Sequence, residues 1–417
     1  RRPNVASLWS SKGCVARCTF CQRSTKGYRV PEVDALDSHL IMLKERFDVG
    51  FIHILDENFA SNRDYTYELA RTMKKHDMLW MASGVRVSSL EYEDIKFFKE
   101  HGCCSLQFGV ETGSQKMMNI MEKKFTVERV YQTLQHCADL DLYHPLAVMV
   151  GMPGETNETV EATGRFVGRL SHIQGLEPEH QGMSIFYALP LTGTPLYVYG
   201  QQVGLLGKSP EEEEKYLMSV SGTGASKINY INLNGARMRD VVFWDWLIKL
   251  EASRTFFELD RQCPIDRSRF FYRATVGDRK REIVGRALTI HEVISKYKAG
   301  LKTGLKGKLF NAFDNFLERY VVHNRQVHRL PRWLLYGAVK NLVFVQFFAQ
   351  KIVLKMAGRE YNLNQPRPQV APLKVGVQPA KVEIRTSLRT IVKEHEARQP
   401  LPKSVTEQNQ DVLAIGL

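Results

Sequence analysis

The stretch GFIHILDENFASNRDYTYELARTMKKHDMLWMASG, residues 50–84, holds two apolar runs with a helical pattern between them. The first run, Gly50–Leu55, and the second, Met78–Ala82, are short, rich in large apolar residues and bounded by Gly, Asp or Asn. Buried strands of a parallel sheet have this look, because both of their faces are covered. Residues 64–76 place apolar side chains at helical spacing and open on Asp64, which suits a helix start. The same unit recurs along the chain. Further runs stand at Val5–Trp9, Ser105–Gly109, Pro145–Val150 and Met183–Tyr187, and further helical patterns at 34–47, 88–102, 126–140 and 156–170. Six strands alternating with helices predict an α/β fold, a partial (β/α)6 TIM-like barrel over residues 1–204. In such barrels the residues just after the strands line the active face.

Beyond about residue 205 the alternation stops. Residues 209–217, 237–261 and 308–326 read as helices of a mainly helical region spanning 205–363. The segment 333–354, WLLYGAVKNLVFVQFFAQKIVL, is the most apolar of all. Its two lysines, Asn and Gln argue against a spanning helix. It is expected to be a buried helix of a C-terminal bundle, with a membrane-surface helix as the second reading. Residues 364–417, rich in Pro, Gln and Val at their start, are expected to be a flexible basic tail.

Charge divides the 417 residues unevenly. Residues 1–263 carry 30 Lys+Arg and 33 Asp+Glu, a balance of −3, whereas residues 264–417 carry 28 and 12, a balance of +16. A basic last third suits an anionic surface such as lipid headgroups or nucleic acid; a solvated tail is the plainer reading. The chain opens on Arg1 with no Met before it, so an upstream segment is expected. The seven cysteines are odd in number and clustered, and no signal peptide opens the chain. Both features favour a reducing, cytoplasmic setting over secretion, with the inner face of the membrane as a narrower expectation.

Three of the seven cysteines, Cys14, Cys18 and Cys21, form C-x₃-C-x₂-C directly after the first predicted strand. Structural zinc takes four protein ligands, and no fourth Cys or His stands close in sequence. Iron–sulfur clusters are the other main users of grouped thiolates. A cubane cluster has four irons, so three cysteines leave one iron open for a small molecule. The spacing thus points to a cluster made for chemistry.

The motif C-x₃-C-x-F-C after the first strand of a parallel barrel resembles the radical S-adenosylmethionine (radical SAM) superfamily. The resemblance covers roughly residues 5–200. It rests on the cysteine spacing, on Phe20 before the third Cys, and on DENF (56–59), SGVRV (83–87), FGVETGSQKMMNIMEKKFT (108–126), VGMPGET (150–156) and LPLTGTPLY (189–197). The branch it looks most like comprises the cobalamin-associated enzymes and the related methylthio-transfer enzymes. What the resemblance implies is a 4Fe-4S cluster on Cys14, Cys18 and Cys21 and reductive cleavage of S-adenosylmethionine to a 5′-deoxyadenosyl radical that abstracts hydrogen from substrate. It further implies that Asp56, Glu57 or Asn58 faces the methionine ammonium; the imperfect match to the family's Gly-Gly-Glu leaves open which carboxylate acts. Ser83 and Arg86 follow the third strand, and Arg86 suits the methionine carboxylate as a two-pronged partner. Glu111 resembles a carboxylate that contacts the cofactor. Gly151 permits close backbone approach to the adenine, or else belongs to a tight turn. Tyr187 falls where the sixth strand meets cofactor or substrate.

Cys103, Cys104 and Cys137 are expected to be buried small hydrophobes, and Cys263 stands alone. No D-x-H-x-x-G occurs, so cobalamin, if used, is expected from an upstream domain or a partner. A one-electron donor such as flavodoxin or ferredoxin is the expected protein partner. The expected substrate is a lipid, isoprenoid or cell-envelope intermediate, modified by methylation in one version, with peripheral membrane contact. The alternatives are a radical SAM enzyme acting on RNA, for which residues 264–417 show no recognisable module, and a zinc-stabilised binding protein without catalysis.

Overall fold

The structure, a computed structural model, describes residues 4–23, 25, 27–178, 182–207, 209–223, 230–266, 312–356 and 387–398. Six parallel strands follow one another across a single sheet in the order β1 to β6. They are β1 (Asn4–Leu8), β2 (Val49–Phe59), β3 (Leu79–Val85), β4 (Cys103–Glu111), β5 (Leu146–Val150) and β6 (Met183–Tyr187). Since β1 and β6 are the two edges, the sheet is an open, partial barrel. Helices α1 (Val33–Phe47), α2 (Arg63–Lys75), α3 (Tyr92–Glu100), α4 (Gln115–Ile120), α5 (Val127–Asp139), α6 (Asn157–Gln174) and α7 (Pro195–Gln202) alternate with the strands. Asn62, Thr126, Thr156 and Thr194 cap α2, α5, α6 and α7 by accepting from free first-turn amides.

The pleat sorts the strand residues onto two faces. Leu8, Ile52, Ile54, Trp80, Ala82, Leu106, Phe108, Leu146, Val148 and Val150 pack beneath the helices in one core. The opposite, inner face is closed at its N-terminal end by a small buried cluster of Phe51, Leu79, Met81 and Cys104. Above that plug the inner face bears His53, Ser83 and Gln107, joined by hydrogen bonds, and Glu57 and Glu111 stand near the strand ends. All three cysteines expected to be small buried hydrophobes are so: Cys103 and Cys137 are fully buried and Cys104 nearly so.

Helices α8 (Pro210–Thr223), α9 (Met238–Val241), α10 (Trp244–Gln262), α11 (Arg332–Met356) and α12 (Leu388–Arg398) complete the described chain, with a helical turn at 312–317 continuing into a π-turn at Glu318–Val322. Among the described residues, their buried side chains share the barrel's cores. Helix α10 lies close along α6, where Gly164 and Gly168 leave room for the Ile248 and Ala252 backbone. Trp244, Trp246, Ile248 and Leu250 of α10 and Leu335, Val339 and Val343 of α11 join the barrel's own core. Arg332 ties α11 to Glu161 of α6 and Glu251 of α10 at 2.7 and 2.6 Å. Helix α11 is buried on one side only; Leu334, Leu342, Val345, Phe348 and Ile352 on its other side are exposed. No helix among the described residues is long and apolar enough to cross a membrane.

Within the segment expected to be a flexible tail, α12 is a packed helix. Leu388 and Val392 are buried beside Leu196, Tyr199 and Val203 of the α7 region, and Gln202 donates to the Val392 carbonyl at 3.2 Å. The rest of that tail, 364–386 and 399–417, lies outside the described residues, as does 267–311 of the helical region.

Candidate active site

The loop after β1 carries Cys14, Cys18 and Cys21 over the C-terminal ends of the strands. Its root is held by Asp56, a buried carboxylate two residues past the middle of β2. Asp56 accepts from the Ser10 and Ser11 amides at 2.7 and 3.0 Å and from both hydroxyls at 2.6 Å. A reciprocal pair of hydrogen bonds between Lys12 and Arg29, at 2.9 and 3.0 Å, closes the neck of the loop. Its middle is held by Thr19, fully buried. Thr19 donates from its amide to the Met121 carbonyl and from its hydroxyl to the Ile120 carbonyl, and its own carbonyl accepts from the Leu196 amide. Thus the ends of α4 and α7 fix the segment between the second and third cysteines.

Cys14 and Cys18 are half-buried and Cys21 keeps an exposed edge. The Ala16 amide donates to the Cys14 sulfur at 3.4 Å. Arg86 reaches the Cys18 sulfur at 3.7 Å with one nitrogen and donates to the Lys123 carbonyl at 2.6 Å with the other. Loss of hydration pushes the Cys21 thiol up to about 11; the neighbouring Cys18 and Cys14 add to this, and Lys123 opposes it. Three thiols this close resist ionising together, and a shared cationic centre removes that resistance. Among the described residues no three His, Cys, Asp or Glu side chains are spaced for a single metal ion. A cubane takes each thiolate on a different iron, so its sulfurs stand further apart than the ligands of one ion. Three free cysteines on one strand-end loop are the donor chemistry that such a cluster takes.

Beside the loop, Lys123 and Glu111 form an ion pair at 2.9 Å, with side chains only 5% and 16% exposed. The Lys123 ammonium lies over the rings of Phe20 and Phe125 at 5.8 and 5.5 Å, and Arg86 lies over Phe125 at 5.7 Å. Glu111 holds a left-handed backbone, φ 66°, which a non-glycine residue adopts at some cost. A charged group of Arg86, Glu111 and Lys123 thus lies beside the cysteines at the strand ends.

The structure gathers some of the sequence-marked residues here and sends others elsewhere. Phe20, Arg86 and Glu111 join the three cysteines, and Glu57 stands exposed near the C-terminal end of β2. Asp56 is committed to the loop root by its four hydrogen bonds. Asn58 is fully buried and donates to the Ser61 hydroxyl. Ser83 lies deeper on the inner face, accepting from His53 at 2.9 Å and donating to Gln107 at 2.9 Å. Tyr187 is not on the inner face: it is buried on the helix side, and its hydroxyl donates to the Val241 carbonyl at 3.0 Å. At Gly151, φ 94°, the close approach is made by the Tyr230 ring, 2.4 Å from where a Cβ would stand, and the Tyr230 hydroxyl donates to the Gly151 carbonyl at 2.7 Å. Residues that sequence reasoning missed are Ser10, Ser11, Thr19, Lys123 and Phe125. The last two lie within the quoted 108–126 segment, where a lysine followed by an aromatic offered a signal; Thr19 offered none.

Residues 10–167 match the family profile described as the Radical SAM superfamily. Among curated proteins the chain is similar to an uncharacterised methyltransferase of Pyrococcus horikoshii, 28% identical over 204 residues, covering 48% of this chain and 42% of that one. It is also similar to cytidylyl-2-hydroxyethylphosphonate methyltransferase of Streptomyces wedmorensis, 24% identical over 200 residues, covering 46% and 36%. The chain thus spans less than half the length of these relatives. Among solved structures it is similar to the cobalamin-dependent S-adenosylmethionine radical enzyme OxsB with aqua-cobalamin and S-adenosylmethionine bound, at a TM-score of 0.43 and 14% identity, covering 82% of this chain and 58% of that one. The stretch that matches the radical SAM superfamily, residues 10–167, is the one that carries the three cysteines.

Proposed function

We propose that this chain is the catalytic part of a radical SAM enzyme that modifies, in the favoured version methylates, a largely apolar substrate such as a lipid, isoprenoid or cell-envelope intermediate. The carrying observation is the thiol trio on a pinned strand-end loop, with Arg86 against the Cys18 sulfur. In this reading Cys14, Cys18 and Cys21 hold a 4Fe-4S cluster and leave one iron for S-adenosylmethionine. When bound, the pair supplies reductive carbon–sulfur cleavage and a 5′-deoxyadenosyl radical able to take hydrogen from substrate.

The chain's own residues hold and shield these groups. Ser10, Ser11, Asp56 and Thr19 fix the loop so that three sulfurs face one centre. Arg86, Lys123, Glu57 and Glu111 offer charges of both signs, which suits a zwitterionic methionine moiety. Ser83, tied to His53 and Gln107, lies deeper on the inner face, apart from this charged group. Lys12, Arg17 and Arg23 stand exposed around the loop, a basic collar suited to an acidic one-electron donor of the flavodoxin or ferredoxin kind. Methyl transfer through cobalamin draws the corrinoid from a further domain or partner outside these residues. The apolar outer side of α11 and the basic last third support contact with a membrane-bound substrate at the cytoplasmic face.

The test is Cys18→Ala. Reconstituted anaerobically, the wild-type chain is expected to form 5′-deoxyadenosine from S-adenosylmethionine and a reductant, and the variant to form none above background. Persistent formation by the variant contradicts the reading. Co-sedimentation with anionic vesicles, against structured RNA at matched salt, tests the substrate class; RNA binding without vesicle binding contradicts it.

A further inference from the structure

The sheet sorts its charges by height. Near the strand ends stand Glu57 and Glu111, and Lys123 pairs with Glu111. One layer deeper, about four residues or roughly 13 Å along β2 and β4, the described inner-face residues carry no Asp, Glu, Lys or Arg. There the side chains are Ser7, His53, Ser83, Gln107, Ala147 and Ser184, small or neutral and, except for exposed Ser7, half-buried. Below them the plug of Phe51, Leu79, Met81 and Cys104 is apolar and buried.

Within that layer His53, Ser83 and Gln107 form a hydrogen-bonded row across three adjacent strands. Ser83 donates to Gln107 Oε1 at 2.9 Å, so it accepts from His53 Nε2–H, also at 2.9 Å. That order sets the tautomer: His53 Nδ1 is left as an acceptor, and the Gln107 amide nitrogen is left as a donor. Loss of hydration lowers the His53 pKa and keeps the ring neutral. Toward β1 the same face turns apolar and open, with Val5, Leu55 and Trp9 at 51%, 36% and 72% exposure.

We infer that this layer is the substrate-recognition floor, and that the His53–Ser83–Gln107 row binds an uncharged hydrogen-bonding group, an amide, carbonyl or hydroxyl, on an otherwise apolar molecule. The inference rests on the reading above, which assigns the charged group at the strand ends to the cofactor and leaves the floor for substrate. Burying an ion on a floor without a counter-charge is costly, whereas a neutral polar group finds both a donor and an acceptor there. The apolar wall of Val5, Leu55 and Trp9 covers the rest of the molecule.

The probe is a set of three ligands sharing one apolar chain: hexanamide, hexanoate and hexylammonium, measured by ligand-observed NMR on the reconstituted 417-residue chain. Hexanamide is expected to bind at least about tenfold more tightly than either ion. Gln107→Glu, which conserves shape and adds a negative charge, is expected to shift the preference by about tenfold toward hexylammonium. Ser83→Ala, which breaks the row at its middle, is expected to weaken hexanamide about tenfold and leave the ions unchanged. Equal binding of the three, a preference for hexanoate, or a preference that neither variant moves overturns the inference. The measurement needs neither electrons nor cleavage. Formation of 5′-deoxyadenosine by the same wild-type preparation tests the enclosing reading separately.

Discussion

The cysteine loop and the Gly151–Glu155 loop both follow barrel strands, both contain glycine, and both read in sequence as cofactor loops. They differ in what fills them. The cysteine loop is pinned from outside, by Asp56, Thr19 and the ends of α4 and α7, and its sulfurs stay half-buried or exposed. The second loop is filled by protein. Tyr230 lies against Gly151, Asn234 donates to the Met152 and Glu155 carbonyls at 2.7 and 2.9 Å, and buried Glu155 accepts from the Gly151 amide. A loop built to receive something is braced at its back and open at its front. A loop that completes a core is braced everywhere.

That contrast is broken most severely at Asp56. Asp56→Ala strands two buried amides and two hydroxyls at the loop root. It is expected to cost about 3 kcal/mol or more by chemical denaturation and to lower the iron retained on reconstitution. Full iron retention with unchanged stability breaks the distinction.

Glu155 sharpens the other side. Burial lifts its carboxyl to about 8, so across the range between the ordinary carboxylate value and about 8 the folded chain holds a proton that the unfolded chain has released. Its contribution is therefore complete in acid and declines as pH rises through about 8. Glu155→Gln is expected to flatten this decline in melting temperature, an effect of up to a few kcal/mol at alkaline pH, without lowering iron content.

Tyr230→Phe removes one hydrogen bond to the Gly151 carbonyl while keeping the packed ring. A loss of about 1 kcal/mol is expected, with cluster assembly unaffected. The smallest effect belongs to Arg389 of α12, which pairs with Glu122 at 3.3 Å and donates to the Arg17 carbonyl, within the cysteine loop, at 3.0 Å. Arg389→Ala is expected to cost less than about 1 kcal/mol. It is expected to speed loss of iron from reconstituted protein in air, which an unrelated surface pair would not do.

What the sequence made legible was whatever repeats locally. Each strand has its own apolar run, each long helix its own period, and the cysteines their spacing, so the parallel order and the place of the cysteine loop after the first strand are readable from the sequence. Lys123, Thr19 and Tyr230 are not, because each acts on a segment far along the chain. Thr19 meets Ile120 and Met121 across about a hundred residues, and nothing around a lone Thr records that. Helix α10 looked separate because its period is local, whereas its docking depends on Gly164 and Gly168 of another helix. Helix α12 was hidden by its surroundings: the Pro- and Gln-rich stretch before it sets the composition of the whole tail, while only Leu388 and Val392 carry its packing.

The most direct measurement of the central claim is the electron paramagnetic resonance spectrum of the reduced, anaerobically reconstituted chain with and without S-adenosylmethionine. If Cys14, Cys18 and Cys21 are the only protein ligands, the fourth iron is open and the spectrum changes when S-adenosylmethionine binds. A cluster spectrum that stays the same at saturating S-adenosylmethionine, or a colourless protein holding one zinc, would contradict the account.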